Sequence, residues 1–146
     1  MNASDTIPIL IEKPAAASPS YSYSNSLPLL HEIAHALRRL HLRGKPTVLD
    51  LNAIPFGPED ERRLLDFLGQ GEVSATLETM GSSQVRESKY PGVWLIEHRS
   101  SGGERVAFQI EITKLPRILE SQPEDIGEAL STLQSALEDL QTGDPV

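Results

Sequence analysis

Over Val73 to Leu77 and again over Val106 to Ile112 the apolar side chains of this chain recur at every second residue, whereas over 27–40 and 126–140 they recur every third or fourth. A period of two belongs to strands and a period near 3.6 to helices, so the chain must combine both. Val73, Ala75 and Leu77 alternate with Ser74, Thr76 and Glu78. Gly81, Ser82 and Ser83 read as a turn, Gln84 to Tyr90 as a weaker strand, and Val93 to Arg99 as a strong one. Ser100 to Gly103 makes a hairpin turn, after which Val106, Phe108, Ile110 and Ile112 share one face of the return strand. Such a meander is antiparallel, with one face covered by helices.

The flanks supply those helices. Leu27, Leu30, Ile33, Leu37 and Leu40 predict a helix over 27–43, which Gly44 and Pro46 end. Thr47 to Leu51 is a short strand and Asn52 to Gly57 a loop. Pro58 opens a second helix, with Glu59, Asp60 and Glu61 at its positive end and Leu64, Leu65 and Leu68 on its buried face. This strand, this helix and the strand at Val73 stand in the order of a parallel crossover. A third helix closes the chain, with Pro123 in its first turn and Ser121 and Glu124 spaced as a capping box. Its stripe of Ile126, Leu130, Leu133, Leu137 and Leu140 is expected to pack on the sheet rather than to form a partner-binding coil. The fold class is therefore α+β: a mostly antiparallel sheet of about five strands with three main helices.

Residues 1–26 offer little to bury, with Pro14, Pro19 and an Ala/Ser/Tyr-rich run, and are expected to be a disordered tail. Residues 27–146 are expected to form one domain. The net charge of -8 disfavours a nucleic-acid partner. No apolar run approaches the length of a membrane span, and Met1 to Ile11 lacks the basic start of a secretory signal, so the expected location is the cytoplasm. With no cysteine among its 146 residues, the chain cannot hold zinc or an iron–sulfur cluster through thiolates of its own.

One string invites a catalytic reading. His31-Glu32-Ile33-Ala34-His35 is an H-E-x-x-H, which on a helix sets two imidazoles at i and i+4 with a glutamate as general base. His41 falls where a longer zinc-protease pattern has its third histidine, but that pattern needs a glycine where this chain has Arg38. If the helix continues through Arg38, Arg39 and Leu40, His41 lies roughly 15 Å along the axis from His31, on another face. His31 and His35, the one pair of candidate metal ligands, are read as surface histidines, and no metal, cofactor or catalytic residue is expected. Gly69-Gln70-Gly71 follows a helix and opens a strand, the reverse of a phosphate loop, so it reads as a helix cap. No Ser/His/Asp arrangement has recognisable context, and Asp50 and Asp60 stand singly.

Several segments in order resemble one family. They are Leu30-His31-Glu32-Ile33 with His35-Ala36-Leu37, Pro46-Thr47-Val48-Leu49-Asp50-Leu51, Leu68-Gly69-Gln70-Gly71-Glu72-Val73-Ser74, Pro91-Gly92-Val93-Trp94, and Pro116 followed by Gln122-Pro123-Glu124-Asp125-Ile126. Together, over about residues 27–142, they resemble the conserved region of the HupH/HyaF hydrogenase expression proteins. Longer members of that family carry two related halves, of which this chain holds one.

The resemblance implies a non-enzymatic, chaperone-like accessory protein in the maturation of uptake nickel–iron hydrogenase. Its implied client is the iron–sulfur small subunit or its precursor, with a rubredoxin-like accessory protein as a further partner and no membrane or nucleic-acid partner. Candidate partner-binding residues are Trp94 as an anchor, with Tyr90, Pro91 and Gly92 beside it, and Glu72 as a rim charge. The alternatives are a zinc-dependent hydrolase built on His31, Glu32 and His35, and an unrelated protein-interaction domain.

Overall fold

The structure, a computed structural model, describes residues 26–55 and 57–143. The tail expected over residues 1–26 lies outside them except for Ser26, which is buried at the start of the first helix. Helix α1 (Ser26–Arg43) runs without interruption until Gly44, whose N–H closes on the Leu40 carbonyl at 2.9 Å. Strand β1 (Thr47–Asp50) follows, and the Asp50 carboxylate accepts the Asn52 N–H at 2.9 Å to cap one 3-10 turn, Leu51–Ala53. Helix α2 (Pro58–Leu68) starts at a proline whose missing N–H costs nothing in the first turn. Strands β2 (Ser74–Glu78), β3 (Gly81–Glu87), β4 (Val93–Ser100) and β5 (Arg105–Ile112) complete the sheet.

The sheet order is β1-β5-β4-β3-β2 and each neighbouring pair is antiparallel, the α+β class that the periodicities predict. The parallel crossover does not form: β1 and β2 lie at opposite edges. β1 instead pairs with β5, Thr47 opposite Ile112 and Leu49 opposite Ile110, which sets two apolar side chains together on the helix-covered face. The turn placed at Gly81 to Ser83 is also shifted. Those residues begin β3, and the reversal occurs at Thr79 and Met80, where the Thr79 N–H reaches the Gly81 carbonyl at 3.0 Å. Gly81 sits in the strand because an added Cβ would lie 2.3 Å from the Arg99 carbonyl oxygen.

Helices α1 and α2 share one core with the sheet: Leu29, Ile33, Ala36, Leu64 and Leu68 meet Val93, Leu95, Phe108, Ile110 and Ile112. The buried face of α1 is turned slightly from the expected stripe. Leu29, Ile33 and Ala36 form its centre, Leu30, Leu37 and Leu40 flank it, and Leu27 is exposed. Val106, expected inside, is exposed at the hairpin end, beyond a register shift between His98 and Arg99. Val85, Trp94 and Ile96 lie on the other face of the sheet and are buried too. The expectation of one covered face is thus corrected for the middle strands. β4 buries four consecutive residues, Val93 to Ile96, as strands covered on both sides do.

Among the described residues, those up to Lys114 make one compact unit and those from Leu115 make a second. The second holds a 3-10 turn, Arg117–Leu119, and helix α3 (Pro123–Gln141). The capping box does not form. Pro123 takes the first helical position, so Gln122 becomes the cap in place of Ser121, and it makes no side-chain cap bond. The stripe expected to be covered is open along its length, with Ile126, Leu130, Leu133, Leu137 and Leu140 between 49 and 63% exposed. No helix among the described residues is long and apolar enough to cross a membrane.

Candidate interaction site

The Leu68–Ser74 and Pro91–Trp94 segments flank the end of β3, which lies between them, with Glu87 in register with Trp94 on one side and bonded to Val73 on the other. The stretch from Leu68 to Val73 runs against Glu87 to Lys89, tied by Lys89 N–H to Leu68 O at 2.8 Å, Gly71 N–H to Glu87 O at 2.8 Å, and Glu87 N–H to Val73 O at 2.9 Å. The approach is close enough to require glycine: a Cβ on Gly71 would stand 2.4 Å from the Ser88 carbonyl oxygen. Gly69 caps α2 as the sequence predicts, at φ +62° with its N–H on the Leu65 carbonyl at 2.9 Å, and Gly71 leaves room for the neighbouring backbone.

The turn from Ser88 to Gly92 is knotted on a buried serine. The Ser88 N–H donates to Val93 O at 2.9 Å, and its Oγ donates to Tyr90 O at 3.1 Å and accepts the Tyr90 N–H at 3.0 Å. Gly92 turns the chain at φ +98°, where a side chain is strained, and a Cβ there would meet Leu37 of α1 at 3.3 Å. The turn thus holds Tyr90 against the end of α2. Its ring stacks on Phe67 with centroids 5.9 Å apart and planes 18° from parallel. The Lys89 ammonium sits 5.4 Å from the Tyr90 centroid and 5.8 Å from that of Phe67. Phe67 is 50% exposed, so this is an outward-facing aromatic pair with a cation over it. Next to Tyr90 in the chain, Pro91 and Gly92 line a cleft of about 460 Å³ together with Leu37, Leu40, His41, Glu87 and Lys114.

The sequence-predicted residues divide accordingly. Tyr90, Pro91 and Gly92 belong to this surface. Glu72 is exposed on the adjoining segment, where its N–H lies 3.4 Å from the Glu87 carboxylate. Trp94 does not join them: its ring is buried on the other face of the sheet, and its indole N–H donates to the Thr113 carbonyl at 3.1 Å. Phe67 and Lys89 were not legible as partners of Tyr90, although Phe67 is the sole aromatic of α2 and stands off its buried stripe, a signal in itself.

His31, Glu32 and His35 are exposed on α1, and the helix continues past Arg38 to Arg43, leaving His41 exposed on another face. Among the described residues no three His, Asp or Glu side chains gather where an ion could be held.

A second charged cluster is structural in its connections. Arg105 of β5 grips Glu61 of α2 with two hydrogen bonds, 2.9 and 3.2 Å, and lies 3.6 Å from Glu97, which accepts from Arg99 at 3.0 Å. The guanidinium also covers the Phe108 ring at 4.6 Å. The hydrogen bond to Glu61, followed by the Coulombic pull of that carboxylate and of Glu97, raises the Arg105 pKa above its ordinary value despite the opposing cost of burial. Two acids balance two bases, and the cluster pins the start of α2 to the sheet.

Residues 23–140 match the family described as HupH hydrogenase expression protein, C-terminal conserved region. The chain is 29% identical over 119 residues to the hydrogenase expression/formation protein HoxQ of Azotobacter vinelandii, covering 80% of this chain and 42% of that one. It is 24% identical over 101 residues to the hydrogenase expression/formation protein HupH of Rhodobacter capsulatus, covering 69% and 37%. The chain thus spans about two fifths of the length of the curated relatives it matches. Its fold is similar to the solved structure of the hydrogenase expression protein HupH from Thiobacillus denitrificans ATCC 25259, with a TM-score of 0.76 and 38% identity, covering 78% of this chain and 95% of that one.

Proposed function

The chain belongs to the family of HupH hydrogenase expression proteins, and from that premise we propose that it is a non-enzymatic accessory protein in the maturation of nickel–iron hydrogenase. It acts in the cytoplasm by binding and shielding the iron–sulfur small subunit or its precursor, and a rubredoxin-like accessory protein is the further partner. The observation that carries this reading is the stack of half-exposed Phe67 on partly buried Tyr90, beside the Leu68–Val73 stretch that Glu87 and Lys89 hold in place. Rigid, half-exposed aromatic rings with a cation beside them suit protein recognition, because they contribute large contact area at small entropic cost. The absence of cysteine fits a protein that covers a cluster subunit without ligating its iron.

Affinity capture with the tagged chain tests it. Wild type is expected to enrich the small subunit or its precursor from cells expressing the hydrogenase, and a Phe67→Ala/Tyr90→Ala double variant is expected to retain roughly a tenth or less, since central aromatic contacts cost about 2 kcal/mol or more each. If wild type, shown folded by circular dichroism, enriches neither the subunit nor its accessory proteins, the reading is wrong.

A further inference from the structure

The open stripe of α3 follows a strict heptad. Ile126, Leu130, Leu133, Leu137 and Leu140 are spaced 4, 3, 4, 3, which places Leu130 and Leu137 at a positions and the other three at d. The flanking e and g positions are Gly127, Ala129, Gln134, Ala136 and Gln141, all uncharged and three of them small. The five acids of the helix, Glu124, Asp125, Glu128, Glu138 and Asp139, all fall at b, c and f, on the back. A helix shaped for a basic partner would carry its acids at e and g, next to the seam, where they steer pairing. This one keeps its seam neutral and narrow, so what fits it is another apolar helix with small neutral flanks.

We infer that α3 is a self-association surface, and that its occupant is α3 of a second copy of this chain, joined about a two-fold axis. An isologous contact needs one patch to complement itself, and a neutral-flanked leucine stripe does so without opposing like charges. The five side chains expose apolar surface on the order of 500 Å² in each copy, so pairing two buries about the 1,000 Å² total that a specific interface requires. The acids on the two backs still repel at a distance through water. Salt screens that repulsion while leaving the apolar seam intact, so the dimer tightens as salt rises.

The inference rests on α3 alone and its test contains no hydrogenase component, so it stands or falls apart from the function proposed above. Sedimentation equilibrium of the full chain, from about 1 to 300 µM, is expected to show a reversible dimer whose short seam gives a dissociation constant on the order of 10 µM. That constant should fall between 0.05 and 0.5 M NaCl. Leu133→Glu, at a side chain already 59% exposed, should weaken the dimer at least tenfold with an unchanged circular dichroism spectrum, whereas Glu138→Lys, on the back of the helix, should leave the dimer intact. A wild-type chain monomeric at 300 µM overturns the inference, as does a dimer indifferent to Leu133→Glu or one that loosens as salt is raised.

Discussion

At Gly71 the backbone passes another carbonyl too closely for any side chain, and the cost of violating that is calculable. Gly71→Ala puts a methyl 2.4 Å from the Ser88 oxygen, with backbone rather than a flexible side chain in the way. We expect a loss of about 1–3 kcal/mol, read as a lower urea midpoint at unchanged slope. Gly127 of α3 is the counter-example: an added Cβ meets nothing within 4 Å. Gly127→Ala removes the penalty of glycine inside a helix and is expected to stabilise α3 by about 0.5–1 kcal/mol, seen as greater helical content on heating. The same scale shows what was legible at the site. Tyr90, Pro91 and Gly92 form a turn signal of their own, and turns announce themselves locally. Phe67 and Lys89 lie in different elements, and their convergence on Tyr90 depends on where α2 ends against the sheet. Trp94 misled because a single tryptophan in a strand has no local mark for which side will be covered; its place in the run Val93 to Ile96, four apolar residues together, was the usable sign of burial.

Among the elements, helices and strands were legible from period alone, because periodicity is written in the elements themselves. Sheet order was not, since pairing is decided by partners distant in the chain: the crossover placed β1 beside β2, whereas β5 offered β1 a longer, apolar edge. The stripe of α3 shows the same limit in another form. A heptad announces that something will be covered, not what will cover it. The H-E-x-x-H of α1 sits on an exposed helical face, so tag-free protein dialysed against dilute zinc should hold no stoichiometric ion after buffer exchange, by mass spectrometric metal analysis. One tightly held zinc per chain, lost in His35→Ala, would instead restore the hydrolase reading. The clasp between α2 and β5 should contribute modestly. Glu61 and Arg105 are each about a third exposed, so a double-mutant cycle with Glu61→Gln and Arg105→Met is expected to give about 0.5–1 kcal/mol, diminishing in 1 M salt.

For the molecule as a whole, family membership and the fold agree, while the length does not: this chain is about two fifths of its curated relatives. The sheet itself carries one more implication, for the order in which it assembles. Strands β2 to β5 pair with their nearest neighbours along the chain, so their contacts close short loops. β1 joins β5 only after almost half the polypeptide has been brought back, Thr47 to Ile112, and pays the entropy of that closure. The four-strand meander should be the early nucleus and β1 the late arrival. Under native conditions the amides of β1 should trade deuterium sooner than those of Val93 to Ile96, making one rim of the sheet the first to fray.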